Sequence, residues 1–331
     1  LALSLLNYKS YQWMPRNREE TCCKFISSRG FAKCCVSRNR KLKSSIPALD
    51  QDLLEQHKKG ATLYITTDAL PDFVRTKLTQ IREPFVLLSG DSDLPIGADV
   101  SLPNALPPLD LQNLLNHPLL VAWFAQNLTI KHDKLFNLPI GLDYHTLTQR
   151  KSHAWGAFQS PLEQEERLRQ IVSMAPPLRS REIRGYCNWH HAVHRGDRRE
   201  VLDVADDSVA YYESDHLPRD QSWRKNAQFL FTISPFGEGM DCHRTWEALF
   251  LGAIPIVKSS GLNPLFVDLP VVIIEDWKEL TKERLLQERD DILARAFDFS
   301  SLFLSFWKNR FQGRKPVHQT PVSYQEFLST L

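Results

Sequence analysis

The chain has 331 residues, of which 42% are hydrophobic and 24% charged, and its formal net charge is +2. That length suits two domains better than one, and the composition is that of a globular protein rather than a disordered or fibrous one. A balance this close to neutral removes any global electrostatic case for nucleic acid as a partner.

Residues 1–48 have no period and are rich in Lys and Arg, which predicts an irregular segment with one or two short elements. Residues 1–6 are apolar but too few to cross a bilayer. As the tail of a lost upstream membrane anchor they would imply an ER or Golgi lumen; a bacterial or viral chain without one would be cytoplasmic. Cys22-Cys23 and Cys34-Cys35 form two adjacent pairs. Zinc ligands are usually spaced C-x2–4-C, so thiols, or a local disulfide if the chain is secreted, are the expectation.

Regular alternation begins near residue 50. A helix is expected at 50–58, a strand at 62–67, a helix at 71–81 behind Asp68 as N-cap, and a buried strand at 84–89. A helix at 109–115 and strands at 119–124 and 135–140 follow. Residues 144–160, polar and aromatic, read as a connection, and a helix follows at 162–174. The second series has strands at 183–188, 209–213, 227–233, 253–257 and 271–274. Helices at 195–204, 220–226 and 241–252 alternate with them. Residues 281–331 read as helical. Two successive strand–helix series predict an α/β protein with two Rossmann-like units facing across a cleft, at 49–146 and 161–298, followed by a segment at 299–331. Asn127-Leu128-Thr129 is a glycosylation sequon, meaningful only in a secretory lumen.

The densest signal runs from Ser234 to Val257, as strand end, glycine loop, helix, Gly252 stop and buried strand. At about 100° per residue, His243, Arg244 and Glu247 share one quadrant of that helix, and Trp246, Leu249 and Phe250 another arc. Gly237 and Gly239 let the loop bring backbone N–H groups up to an anion at the helix start. Asp241 reads as the N-cap. Arg224 and Lys225, just before the 227–233 strand, are further cations. Together these residues suggest a site for a phosphorylated ligand beside a parallel sheet.

Ser234, Pro235, Gly237, Gly239, Asp241, Arg244, Glu247, Ala248, Gly252, Ile254 and Pro255 match the pattern S-P-x-G-x-G-x-D-x-x-R-x-x-E-A-x-x-x-G-x-I-P. The segment thus resembles the exostosin-like glycosyltransferases, and a weaker similarity extends through the C-terminal half. A shorter motif of this kind occurs in fucosyltransferases and other enzymes of the two-domain GT-B fold. The resemblance implies a GT-B-like fold with residues 299–311 crossing back onto the first domain. It implies transfer from a nucleotide sugar, a UDP- or GDP-sugar, to a glycan or other hydroxyl acceptor, with inversion and with no cofactor or metal required. Ser234, Pro235, Gly237, Gly239, His243, Arg244, Glu247, Arg224 and Lys225 would hold the donor. Glu247 would take the ribose hydroxyls, and Arg244 would balance charge growing on the leaving diphosphate.

Inversion needs a base for the acceptor proton. Asp91, Asp93, Asp143 and His145 all lie at ends of predicted strands in the first half, and sequence does not rank them. Asp91-Ser-Asp93 also has the D-x-D form of the metal-dependent GT-A transferases, an alternative in which both carboxylates hold a divalent cation. Trp123, Phe124, Gln126 and Asn127 could line an acceptor site or simply fill the core. The cluster from Trp189 to Arg195 carries three histidines in a spacing without a completed metal pattern, and reads as a loop facing the cleft. A non-catalytic carbohydrate-binding subunit of the same fold is the competing reading from another class.

Overall fold

The computed structural model describes residues 20–55, 57, 62–97 and 101–331. The apolar residues 1–6 lie outside this range. Helix α1 (Ser28–Cys34) starts where Ser27 Oγ accepts the Gly30 N–H at 3.1 Å. Phe25 and Phe31 beside it are fully buried. Residues 51–55 form turns in place of the expected helix, whose remainder falls partly outside the described residues.

Strands β1 (Thr62–Thr66), β2 (Phe85–Gly90), β3 (Leu120–Ala125) and β4 (Leu135–Asn137) pair in that order, all parallel. Successive side chains of a strand point to opposite faces. Leu63, Ile65, Leu87 and Trp123 accordingly share one core with Phe73 of α2 (Leu70–Thr76) and Leu114 of α3 (Pro108–Leu115). Tyr64, Val86, Leu88 and Phe124 face a second core that continues through the rest of the molecule.

The expected connection holds α4 (His145–Gln149) and the hairpin β5 (Ser152–His153)–β6 (Gly156–Ala157). Helix α5 (Pro161–Met174) begins with a capping box: Ser160 Oγ accepts the Glu163 N–H, and Glu163 accepts the Ser160 N–H. The second sheet contains β7 (Glu182–Cys187), β8 (Ala210–Tyr212), β9 (Phe229–Ile233), β10 (Ile254–Lys258) and β11 (Val272–Ile274). All are parallel, in the order β11-β10-β9-β7-β8. Every residue of β9 is buried and all but the last of β10, as a parallel sheet covered on both faces requires.

Chain order therefore reverses between β7 and β9, because β8 lies to one side and β9–β11 to the other. Crevices at such reversals, at the carboxyl ends of the strands, are where open α/β sheets bind ligands. Helices α6 (Arg198–Val204), α7 (Arg219–Asn226) and α8 (His243–Leu251) connect these strands. Helix α8 stops at Gly252, whose φ of 79° suits glycine and where a Cβ would sit 2.6 Å from Leu328.

The stretch expected to be helical after residue 281 is three helices separated by the two strands of one short antiparallel pairing: α9 (Lys282–Leu293), α10 (Leu304–Phe311) and α11 (Tyr324–Thr330). Phe311 of α10 packs on Phe124 of β3, with centroids 5.0 Å apart. Tyr324 of α11 donates to the Leu249 carbonyl of α8 at 2.7 Å. No helix among the described residues is long and apolar enough to cross a membrane. None of the six cysteines forms a disulfide.

Candidate functional site

The carboxyl ends of both sheets open into one cleft of about 580 Å³. On the second-sheet side the chain leaves β9, makes the glycine loop and enters α8. Ser234 Oγ lies 2.8 Å from Thr245 Oγ1, and the Pro235 carbonyl accepts from Arg244 Nη2 at 2.7 Å. Ser234 and Pro235, expected to hold donor, thus tie the loop to its own helix and are buried. Gly237 and Gly239 do line the cleft. At Gly239 a Cβ would lie 3.1 Å from Asp93 Cα and 3.0 Å from Asn127 Nδ2, so glycine permits the two sheets' strand ends to meet there. Helix α8 opens with no side-chain cap on its first N–H groups.

Three guanidinium groups line this region, those of Arg195, Arg198 and Arg244. Arg198 is buried and donates through Nη1 to the carbonyls of Trp189 and Ala192, both at 3.1 Å. The Nε groups of Arg198 and Arg244 are buried and have no hydrogen-bond partner. Burial, and then the charge of Arg244, push Arg198 down to about 10. Even so it stays protonated at neutral pH, so buried N–H groups and like charges converge beside a glycine loop and a helix start. That arrangement suits an anion.

A further cation went unread in the sequence. Arg219 begins α7, is buried, and lies between Trp155 and Trp223, at 4.5 and 5.5 Å from their ring centroids. Its guanidinium donates to the Asp143 carbonyl and, at 2.8 Å, to Gln164 Oε1. It lies 3.4 Å from Asp143 Oδ2 and 4.0 Å from Glu247 Oε1. Arg224 and Lys225, chosen from the same helix, do not line the cleft. Arg224 pairs with Asp220 at 3.3 Å and Lys225 covers the Tyr211 ring at 4.9 Å. They lie more than a turn beyond Arg219, at the end of the helix remote from the strand ends. The available signal was that helix start, since it follows a strand end at the edge where ligands bind.

The opposing wall comes from the ends of β2 to β4. Asp91, in a left-handed conformation with φ 52°, is buried and holds Arg29 at 3.2 Å and Ser44 Oγ at 2.7 Å. Asp143 accepts the N–H and hydroxyl of Thr146 at 2.9 and 2.7 Å. Burial opposes its ionisation, but the adjoining imidazoles of His145 and His243, the Arg219 guanidinium and the Thr146 N–H outweigh it and hold the carboxyl far below the usual range. His145 Nδ1 is 3.1 Å from Asp143 Oδ1, and burial pushes the imidazole down to about 4, so it is neutral at physiological pH. Asp93 differs from both aspartates because its side chain is open to the cleft. Enclosure by the cleft walls and the charge of Glu238 raise its proton affinity.

Asp241 does not cap α8. It is buried, accepts the Ile140 N–H at 2.6 Å and Trp246 Nε1 at 2.7 Å, and so pins the motif to the first half. Its own N–H donates to Asn127 Oδ1 at 2.9 Å. Asn127 Nδ2 donates to the Ser92 carbonyl at 3.2 Å, so the sequon amide is buried structure. His243 Nδ1 lies 2.7 Å from the Gly141 carbonyl. A carbonyl only accepts, so Nδ1 carries the proton and Nε2 is left for the cleft. Trp123 and Phe124 are core residues. Of the histidine cluster, His191 lines the cleft, and its ring centroid lies 3.9 Å from that of His216, with the planes tilted by 33°. Among the described residues no group of three or more His, Cys, Asp or Glu side chains could hold a metal ion.

The two parallel Rossmann-like sheets, of four and five strands, are consistent with the two-domain GT-B fold. No family model matches the chain. It is distantly similar to ribitol-5-phosphate xylosyltransferase 1 of Danio rerio, with 22% identity over an alignment of 173 positions that covers 43% of this chain and 40% of that protein.

Proposed function

We propose that the chain is a glycosyltransferase that moves a sugar from a nucleotide-sugar donor to an acceptor hydroxyl, with inversion and without a metal. In this reading residues 161–298 hold the donor, residues 49–146 the acceptor, and residues 299–331 pack back on the first unit. The observation that carries it is the convergence, at the strand-order reversal, of Arg198 and Arg244 with unpartnered buried Nε groups, the Gly237–Gly239 loop and an uncapped helix. Distant similarity to a xylosyltransferase supports the same class.

The acceptor oxygen attacks the anomeric carbon as the bond from that carbon to the diphosphate oxygen breaks. The electron pair leaves with the nucleoside diphosphate, and its charge is met by Arg244, Arg198 and the first N–H groups of α8. Glu247, facing the cleft, takes the ribose hydroxyls. The acceptor proton goes to Asp93. Supporting Asp93 over the other candidates, Asp91 and Asp143 are held by Arg29, Ser44, Thr146 and Arg219, and His145 is a weak base at about 4.

A thermal-shift and donor-hydrolysis panel of UDP- and GDP-sugars tests the reading. One donor should raise Tm, as a ligand that binds only the folded state must, and be turned over in excess chelator. Absence of a shift with every donor would break the donor-site reading. Binding without turnover, with or without acceptor, would favour a carbohydrate-binding subunit. Turnover lost on chelation and restored by manganese would move the case to a cation at Asp91 and Asp93.

A further inference from the structure

Glu213 plays no part in the scheme above. It follows β8 directly, at the carboxyl edge of the second sheet, and it lines the same cleft. Its side chain is buried, at 4% exposure, and Oε2 has no hydrogen-bond partner. Among the described residues no Lys, Arg or His lies within ion-pair distance of it. Its backbone is fixed, since its N–H donates to the Cys187 carbonyl at 2.9 Å. A buried carboxylate with an unmet acceptor is unfavourable for folding alone, so its retention calls for a donor from outside the chain.

The surroundings say which kind of donor. Trp223 Nε1 lines the same cleft, also buried and without a partner. Asn188 Nδ2 donates to Ser222 Oγ at 2.9 Å. This end of the cleft holds the Glu213 carboxylate beside neutral polar groups, with Asp215, His191 and His216 also on its wall. The guanidinium groups of Arg195, Arg198 and Arg244 follow β7 and β9, and that of Arg219, which follows β8, is already engaged by the Asp143 carbonyl and Gln164. In the sheet β8 is two strands from β9, a separation of about 9–10 Å at the usual strand spacing. A diphosphate held at the reversal would have its attached nucleoside reach about that far.

We propose that Glu213 is a specificity-determining residue for the donor's nucleoside, accepting hydrogen bonds from the N–H groups of its base. This rests on the donor-site reading above. The chemistry is that of a carboxylate against N–H donors; with the ribose diol taken by Glu247, the nucleoside offers these as the N–H edge of its base.

Calorimetry on the full chain tests it, with UDP, GDP, their 2′,3′-dideoxy forms and inorganic diphosphate as probes. Glu213→Gln keeps the shape and should weaken the preferred nucleoside diphosphate tenfold or more while leaving inorganic diphosphate within twofold. If the variant's defect vanishes with the dideoxy probes, Glu213 and not Glu247 holds the ribose diol, which overturns the assignment to the base. If it persists and changes the UDP-to-GDP ratio, the partner is the base. Free of ligand, Glu213→Gln and Glu213→Leu should unfold at the parent temperature or above, because each removes an unpaired buried charge. Unchanged nucleoside diphosphate binding, or an equal loss for inorganic diphosphate, would overturn the proposal with the donor site intact. A parent protein that binds none of the probes would instead remove the donor site itself.

Discussion

The two parallel sheets present their carboxyl ends to one cleft but end their strands differently. In the first sheet the strands follow chain order, and Asp91 and Asn127, past the ends of β2 and β3, are bonded to the protein, while Thr67 Oγ1, Asp68 Oδ2 and Gln126 Nε2 are buried without a partner but belong to residues that do not line the cleft. Asp91 holds Arg29 and Ser44, Asn127 holds the Asp241 N–H and the Ser92 carbonyl, and both sit in left-handed conformations. In the second sheet the order reverses, and the residues past β7, β8 and β9 include Arg198 Nε, Glu213 Oε2 and Arg244 Nε, all buried and unpartnered. Left-handed backbone and closed networks make the first wall a rigid shape. On the second wall the unpartnered groups of Arg198, Glu213 and Arg244 belong to residues that line the cleft, as the proposed donor site requires. Asp241 and His243 join the walls, one through the Ile140 N–H and the other through the Gly141 carbonyl.

That contrast can be broken in order of expected effect. On the first wall, Asp93→Asn should lower kcat by ~10²–10⁴-fold, the usual contribution of a positioned base, and leave the donor Kd unchanged. The acid limb of the pH–rate profile should go with it. If that limb stays in Asp93→Asn and is lost in a His145 variant, His145 is the base. On the second wall, Arg244→Ala should lower kcat by ~10²-fold or more, beyond any rise in donor KM, because the charge it balances grows in the transition state. Arg244→Lys keeps the charge without the planar fork and should retain part of the activity. Turnover within a few-fold of the parent in folded Arg244→Ala would reduce the guanidinium to a loop brace through its bond to Pro235.

Glu247→Ala should weaken donor binding by about 1.5–3 kcal/mol, the worth of a charge-assisted group, without unfolding the chain. Equal affinity in calorimetry would remove Glu247 from the donor side. The smallest effect concerns stability. His145 is held at about 4, below its unfolded value of about 6.5, by burial. The unfolded chain therefore takes up the proton first on acidification. Stability from this residue is complete above about pH 6.5 and is lost as pH falls towards 4, by about 1–3 kcal/mol. Denaturant melts across that window should show the slope in the parent and a reduced slope in His145→Gln. An identical slope in both would mean that His145 is not buried neutral.

The sequence by itself determined the α/β class, the alternation of strands and helices, and the segment from Ser234 to Val257. These are local properties. Apolar runs such as 229–233 and 254–257, the glycines of a turn, and a helix stop at Gly252 are written within a few residues. The placement of Arg244 and Glu247 on one side of α8 follows from helical period alone, and both line the cleft. Tertiary structure decided which charged groups are available to a ligand, because that depends on partners far away in the chain. Asp91 and Asp93 are equivalent in sequence, yet Arg29, 62 residues away, occupies one and not the other. Asp241 had the position of a cap, but Ile140, 101 residues earlier, supplies its hydrogen bond. Arg219 and Arg224 share a short helix, and only the end at which each sits separates cleft from surface. Glu213 carried no motif at all. Its unmet acceptor exists because the fold buries the end of β8 and brings no cation within ion-pair distance of it, a long-range balance of burial and pairing that no local pattern records.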